Sequence, residues 1–201
     1  LSVISAKTAE ESQVRQCILI DVDRRILELY AGDEVIFTAP VAVGKASTPS
    51  PLGYWRIVNK GKWSGGFGTR WMGLNVPWGL YGIHGTNKPE SIGGALSHGC
   101  IRMHNRDVEK LYDLVSIGTP VKIIAGSFGL LGHSRPYLVP GERSSHVLAV
   151  QHNLSARGYY DGTLDGIYGW GTENAVRAFQ KDHNLPVTGR VDTATYDALG
   201  L

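Results

Sequence analysis

The chain has little cysteine: two residues in 201, at positions 17 and 100. A structural disulfide would therefore have to consume both, Cys100 included. No run of 18 apolar residues occurs, so nothing reads as a membrane-spanning helix. Neither sign of charge dominates. The formal net charge is +2, which gives no footprint of a nucleic-acid binder. Paired histidines and Cys-x-x-Cys spacings are missing, and no carboxylate neighbours Cys100, so no metal ligand set is expected. The chain opens on Leu1 rather than Met, without a charged-then-apolar leader, and reads as a processed or trimmed product.

What is present describes a globular protein, 42% hydrophobic and 19% charged, with length for one medium domain and one small one. The 26 glycines and nine prolines imply many turns and a β-rich main body. Residues 145–201 carry four Lys/Arg against six Asp/Glu, and the remainder 16 against 12. So mild an asymmetry is what solvated surface produces.

Apolar runs alternate with turns from the start. Cys17 to Val22, Ile26 to Tyr30 and Glu34 to Val43 are predicted strands, separated by Asp23-Arg24-Arg25 and Ala31-Gly32-Asp33. Cys17 is expected to be buried in its run. Residues 44–53 read as a loop and Tyr54 to Asn59 as a strand. A glycine-rich stretch from Gly61 to Gly82 holds Trp63, Phe67, Trp71, Trp78 and Tyr81, which serve either as core or as cleft wall. Asn105 is a plausible N-cap for a helix bearing Val108, Leu111, Tyr112 and Val115, ended by Gly118. Val121 to Ala125 then closes the first domain, set at residues 13–125. Residues 126–144 lack periodicity and read as a linker.

The most informative stretch is Ser97-His98-Gly99-Cys100-Ile101-Arg102-Met103, preceded by His84-Gly85-Thr86. An isolated cysteine before an apolar residue is commonly a small buried hydrophobe. Here two imidazoles and a guanidinium surround it, and a thiol nucleophile needs such neighbours to ionise near neutral pH. Gly99 permits a sharp turn that points amides at one spot, as a developing oxyanion requires. The following helix starts several residues later, so its dipole is not credited with activating Cys100.

On these residues the sequence resembles the L,D-transpeptidases of bacterial cell walls, with a YkuD-type catalytic domain. The resemblance covers roughly residues 16–125. It includes Gly44-Lys45, Thr48-Pro49 to Gly53, and Gly118-Thr119-Pro120-Val121. The segment between His84 and Ser97 departs from the pattern in being short beside members with a long lid. The resemblance implies a β-rich, sandwich- or barrel-like domain with Cys100 as nucleophile and His84, rather than His98, as base. The Gly85 carbonyl would orient the imidazole, and the amides of His98, Gly99 and Cys100 would form an oxyanion hole. Arg102 would either hold a substrate carboxylate or brace the loop. Ser97 is a candidate substrate contact, and it and His98 equally fit a supporting role. The implied reaction cleaves a tetrapeptide stem before its terminal D-alanine, forms a thioester, and resolves it into a 3→3 cross-link or, with water, a carboxypeptidase product. Acylation of the thiol by carbapenems is a family property that would carry over.

A second unit spans residues 145–201. Val147, Leu148, Gln151 and Leu154 repeat at helical spacing up to Gly158. Thr172 can cap a helix bearing Ala175, Val176 and Phe179, and Asp192 a short one with Tyr196 and Leu199. The unit resembles the small three-helix peptidoglycan-binding domain of wall enzymes, through Leu154 to Tyr160, Asp165-Gly166-x-Tyr168-Gly169, Phe179-Gln180 and Gly189-x-Val191-Asp192. Together the two parts make a multidomain α+β protein, expected to be an exported, monomeric bacterial wall enzyme without cofactor. Its partner would be peptidoglycan, at both units. Two alternatives are a zinc-dependent wall hydrolase using Cys100 with His84, His98 or His104, and a non-catalytic wall-binding scaffold.

Overall fold

The structure is a computed structural model and describes residues 15–126 and 131–201. Residues 13–14 of the expected first domain and 127–130 of the expected linker lie outside the described residues.

The first unit is built on an eight-stranded sheet. Its strands are β1 (Gln16–Asp21), β2 (Ile26–Ala31), β3 (Glu34–Pro40), β5 (Gly53–Lys62), β6 (Arg70–Leu74), β7 (Tyr81–His84), β9 (Ile101–Arg102) and β10 (Pro120–Ile124). Their order is β3-β2-β1-β10-β5-β6-β7-β9, and β4 (Val43–Gly44) pairs in parallel with β8 (Ala95–Ser97) as a separate ribbon. The sheet curls back on itself. Ala42, just past β3, bridges Arg102 of β9, so a single pair of residues links the two ends in a barrel-like closure. Alternation explains the first hairpins: Ile18, Ile20, Leu27 and Leu29 point inward and are fully buried, while their neighbours face out. These side chains join Ile57, Met72, Ile83, Ile101 and Val121 in one core. Helix α1 (Asn105–Leu114) covers it with Val108 and Leu111.

The expected strands are present with shifted ends. The run Glu34 to Val43 is split into β3 and β4 around Val41-Ala42, which turn to meet Gly93 and Arg102. Cys17 differs from its expectation: it is half-buried, because alternation in β1 gives the inner face to Ile18 and Ile20. Asn105 is not the N-cap of α1. His104 holds that position, without a capping side chain.

The second unit packs α2 (Ser145–Ala156), α3 (Trp170–Asp182) and α4 (Thr193–Leu199) around Phe179, Val176, Tyr168 and Tyr196. Asp192 caps α4 as expected, its carboxylate accepting from the Thr195 amide at 2.8 Å. Thr172 does not cap α3. Gly169 does, and Thr172 lies one turn inside, buried against Gln151. The stretch expected to be a linker is largely packed structure. Leu131 and Leu138 belong to the second core, Leu138 bridges Val191, and Tyr196 Oη donates to the Pro136 carbonyl at 2.9 Å. Glycine and proline content marks turns, and here those turns carry buried leucines.

Candidate active site

Parallel pairing of β7 with β9 sets Ile83 beside Ile101 and His84 beside Arg102. Cys100 immediately precedes β9, and the backbone of Gly82, two residues before His84, interacts with its sulfur. Residues two apart on a strand share a face, so the sulfur, the His84 imidazole and the Arg102 guanidinium gather on one side of the sheet end.

The turn before Cys100 is held from within. Ser97, 1% exposed, donates from Oγ to the Cys100 carbonyl at 2.6 Å and accepts from the Gly99 amide at 3.0 Å. Its own carbonyl accepts from the Lys45 amide and the Thr48 hydroxyl, which ties the 44–53 loop to the turn. Gly99 has φ of +111°, and a Cβ there would press into the Tyr81 ring, so both backbone and space demand glycine. Of the three amides expected to form an oxyanion hole, Gly99's is taken by Ser97. Those of His98 and Cys100 have no protein acceptor among the described residues. His98 itself is exposed.

His84 is 3% exposed, and its Nδ1 lies 2.5 Å from the Gly85 carbonyl oxygen. A carbonyl only accepts, so Nδ1 carries the proton and Nε2 the lone pair. The ring stacks on Trp71 at 5.7 Å and meets the edge of Phe67 at 5.0 Å. Trp63 stacks on Trp71 in turn, at 5.1 Å. The aromatic stretch thus divides its labour: buried Trp71 and partly exposed Phe67 wall the imidazole, and partly exposed Trp63 backs both.

Burial disfavours the charged form of both groups. Burial brings His84 down to about 4, with Arg102 adding to the fall and the Gly85 and Phe67 carbonyls opposing it. Burial also pushes the Cys100 thiol above its ordinary value, against the opposite pull of the Gly82 backbone and Arg102. Burial of the thiol thus works against the ionisation expected from its neighbours, and outweighs the pull of Gly82 and Arg102. The Arg102 guanidinium has no carboxylate partner among the described residues.

Asn105 is a site residue that the sequence reading missed. Its Oδ1 accepts from the Thr69 amide at 3.3 Å and the Thr86 amide at 3.1 Å, clamping the loop after Phe67 to the turn after His84. Local helix-start rules drew it to a capping role, and its true partners are distant in sequence. His104 lines a separate surface cavity with Thr86, Pro89 and Arg106. No group of three or more His, Cys, Asp or Glu side chains suited to a metal ion occurs among the described residues. Both cysteines are free, and no helix among the described residues is long and apolar enough to cross a membrane.

Comparison with known families agrees with this geometry. Residues 15–123 match the L,D-transpeptidase catalytic domain (YkuD), and residues 143–199 match the family described as "Putative peptidoglycan binding domain". The first match covers more than half of the chain, which belongs to the YkuD family of L,D-transpeptidase catalytic domains. Among its relatives is the protein named "Putative L,D-transpeptidase YkuD" of Bacillus licheniformis, 50% identical over 107 residues, or 53% of this chain and 64% of that one. The protein of the same name from Bacillus subtilis strain 168 is 46% identical over the same shares. The chain thus spans 64% of the length of these curated relatives. A solved structure described as the Ldtfm-avibactam carbamoyl enzyme aligns with a TM-score of 0.50 at 26% identity, over 56% of this chain and 49% of that one.

Proposed function

We propose that the chain is a cysteine-dependent L,D-transpeptidase that builds 3→3 cross-links in bacterial peptidoglycan, acting as an exported monomer in the wall. The observation that carries this reading is the His84 imidazole held by the Gly85 carbonyl, with its basic Nε2 left for the thiol gathered on the same face.

The donor is a tetrapeptide stem, cut between the L-centre of its third residue and the terminal D-alanine. As Cys100 Sγ attacks the carbonyl carbon, the thiol proton passes to His84 Nε2. The oxyanion accepts from the His98 and Cys100 amides, donors worth about 3 kcal/mol each. The C–N bond then breaks, the proton leaves His84 for the departing D-alanine amine, and a thioester remains on Cys100. An amine from a neighbouring stem attacks that thioester, an amide forms, and the thiol recovers its proton. Water in the amine's place gives L,D-carboxypeptidase activity, so exclusion of water by the aromatic wall sets the balance. Arg102 stabilises the thiolate as it forms and opposes a standing imidazolium; a substrate carboxylate is its natural further partner. Ser97 and Gly99 shape the nucleophile turn. The second unit holds wall polymer near the cleft.

Intact-mass analysis after mixing with a defined stem tetrapeptide tests the reading. The expected product is an adduct equal to the peptide minus D-alanine, present on the native chain and absent from Cys100→Ala. An equal adduct on Cys100→Ala would overturn it.

A further inference from the structure

Between the two units lies a cavity of about 290 Å³. On one side stand Trp78, Tyr81 and His98, and on the other Arg143, Ser145 and His146. The units meet firmly beside it. Leu148 of α2 is buried in the core of the first unit, and Trp78, edge-on to Trp55 at 5.4 Å, lies where any Cβ on Gly166 would overlap its indole. The cavity also adjoins the chemistry. Tyr81 packs on Gly99, and His98 is the residue before that glycine.

Its lining holds hydroxyls, ring nitrogens and one guanidinium-bearing residue. No Asp or Glu contributes, and Glu142, the acid next to Arg143 in the chain, lies outside the lining. The Arg143 guanidinium has no acceptor among the described residues. Helix α2 begins here, and while Ser144 caps the Val147 amide, the Ser145 and His146 amides have no acceptor among the described residues. Ser145 is 8% exposed, lines the cavity, and its hydroxyl has no hydrogen-bond partner among the described residues. Exposed Arg143 and the first turn of a twelve-residue helix, with two free amides and the Ser145 hydroxyl, therefore border one space. That donor set matches a carboxylate.

We propose that this inter-unit cavity is a binding site for a carboxylate of the wall peptide, so that the second unit forms one wall of the substrate cleft rather than a detached tether. The inference rests on the transpeptidase reading for the identity of the peptide, and on the geometry alone for the carboxylate. It assigns to Arg143 and Ser145 a part in choosing substrates whose internal acid is free over those in which it is amidated.

The test uses the full chain with Cys100→Ala, so that binding is read without turnover. Calorimetric titration compares two synthetic tetrapeptides ending in D-alanine, one with a free internal glutamate and one with that side chain as the amide. The free acid is expected to bind at least tenfold more tightly, and Arg143→Glu to erase the difference. Ser145→Ala is expected to reduce it several-fold, with unfolding midpoints of both variants checked for an intact fold. Equal binding of the two peptides, or a preference that survives Arg143→Glu in a folded protein, would overturn the site. Adducts on the native chain are read separately. An adduct without acid preference sinks this site alone, and acid preference without an adduct sinks the transpeptidase reading alone.

Discussion

The two units bury polar side chains in opposite ways. In the second, Gln151 is fully buried, and its amide group donates to Asp165, Ile167 and Thr172 while its oxygen accepts from the Asp165 and Gly166 amides. Gln180 repeats the scheme one helix later, donating to Thr188, Arg190 and Thr195 and accepting from the Thr188 and Gly189 amides. In the first unit, the half-buried Cys100 sulfur has only loose contacts, 3.9 Å to the Leu80 carbonyl and the nearby Gly82 backbone, and the buried His84 ring is held by backbone carbonyls, chiefly that of Gly85. Saturated buried groups fix a loop and do nothing else. Groups left short of partners keep a proton, a lone pair or an amide available for a substrate.

The comparison can be broken at several points. The largest effect is expected at the base: His84→Ala should slow acylation of Cys100 by about 100-fold or more, the usual worth of a positioned base. His104→Ala should stay within about twofold, measured by the rate of adduct formation. Similar losses in both would move the base away from His84.

Asn105→Ala sharpens the same contrast. Freeing the Thr69 and Thr86 amides loosens the aromatic wall and the His84 turn together, so acylation should fall by about tenfold while the chain stays folded. A rate unchanged from native would reduce Asn105 to a surface detail of α1.

In the second unit the readout is stability. Gln151→Ala leaves the buried Gly166 amide without an acceptor and the Asp165 amide with only the Thr163 carbonyl, which should cost about 1–3 kcal/mol in urea unfolding. A change below about 0.5 kcal/mol would show that saturation there holds nothing together. Asp192→Ala removes only a cap and should cost about 1 kcal/mol.

Much of this is legible in the sequence. Period-two alternation gave away β1, β2 and β10, and the spacing of Cys100, His84 and Arg102 marked the chemistry. Strands β6 and β7 were not legible. Trp71 to Leu74 are all buried and Gly82 interrupts β7, so neither carries the alternation that exposes a strand. Helical spacing makes Gln151 one more residue on a helix face, since nothing in that spacing separates a surface glutamine from a saturated buried one. The capture of the Gly99 amide by Ser97, and the lowering of His84 by burial, depend on tertiary packing that local patterns do not carry. The junction between the units was hidden for the same reason: glycine and proline in residues 126–144 look like slack, and the leucines between them are what the second core uses.

The central claim is that Cys100 and His84 rest as a neutral thiol and a neutral imidazole, exchanging their proton only as substrate reacts. Alkylation of Cys100 by iodoacetamide, followed by peptide mass in a Cys17→Ser background across pH 5 to 10, reads this directly. The rate should be low at neutral pH and climb with a midpoint above the ordinary thiol value. A rate already at its plateau near pH 5 would reveal a standing thiolate–imidazolium pair and contradict the account.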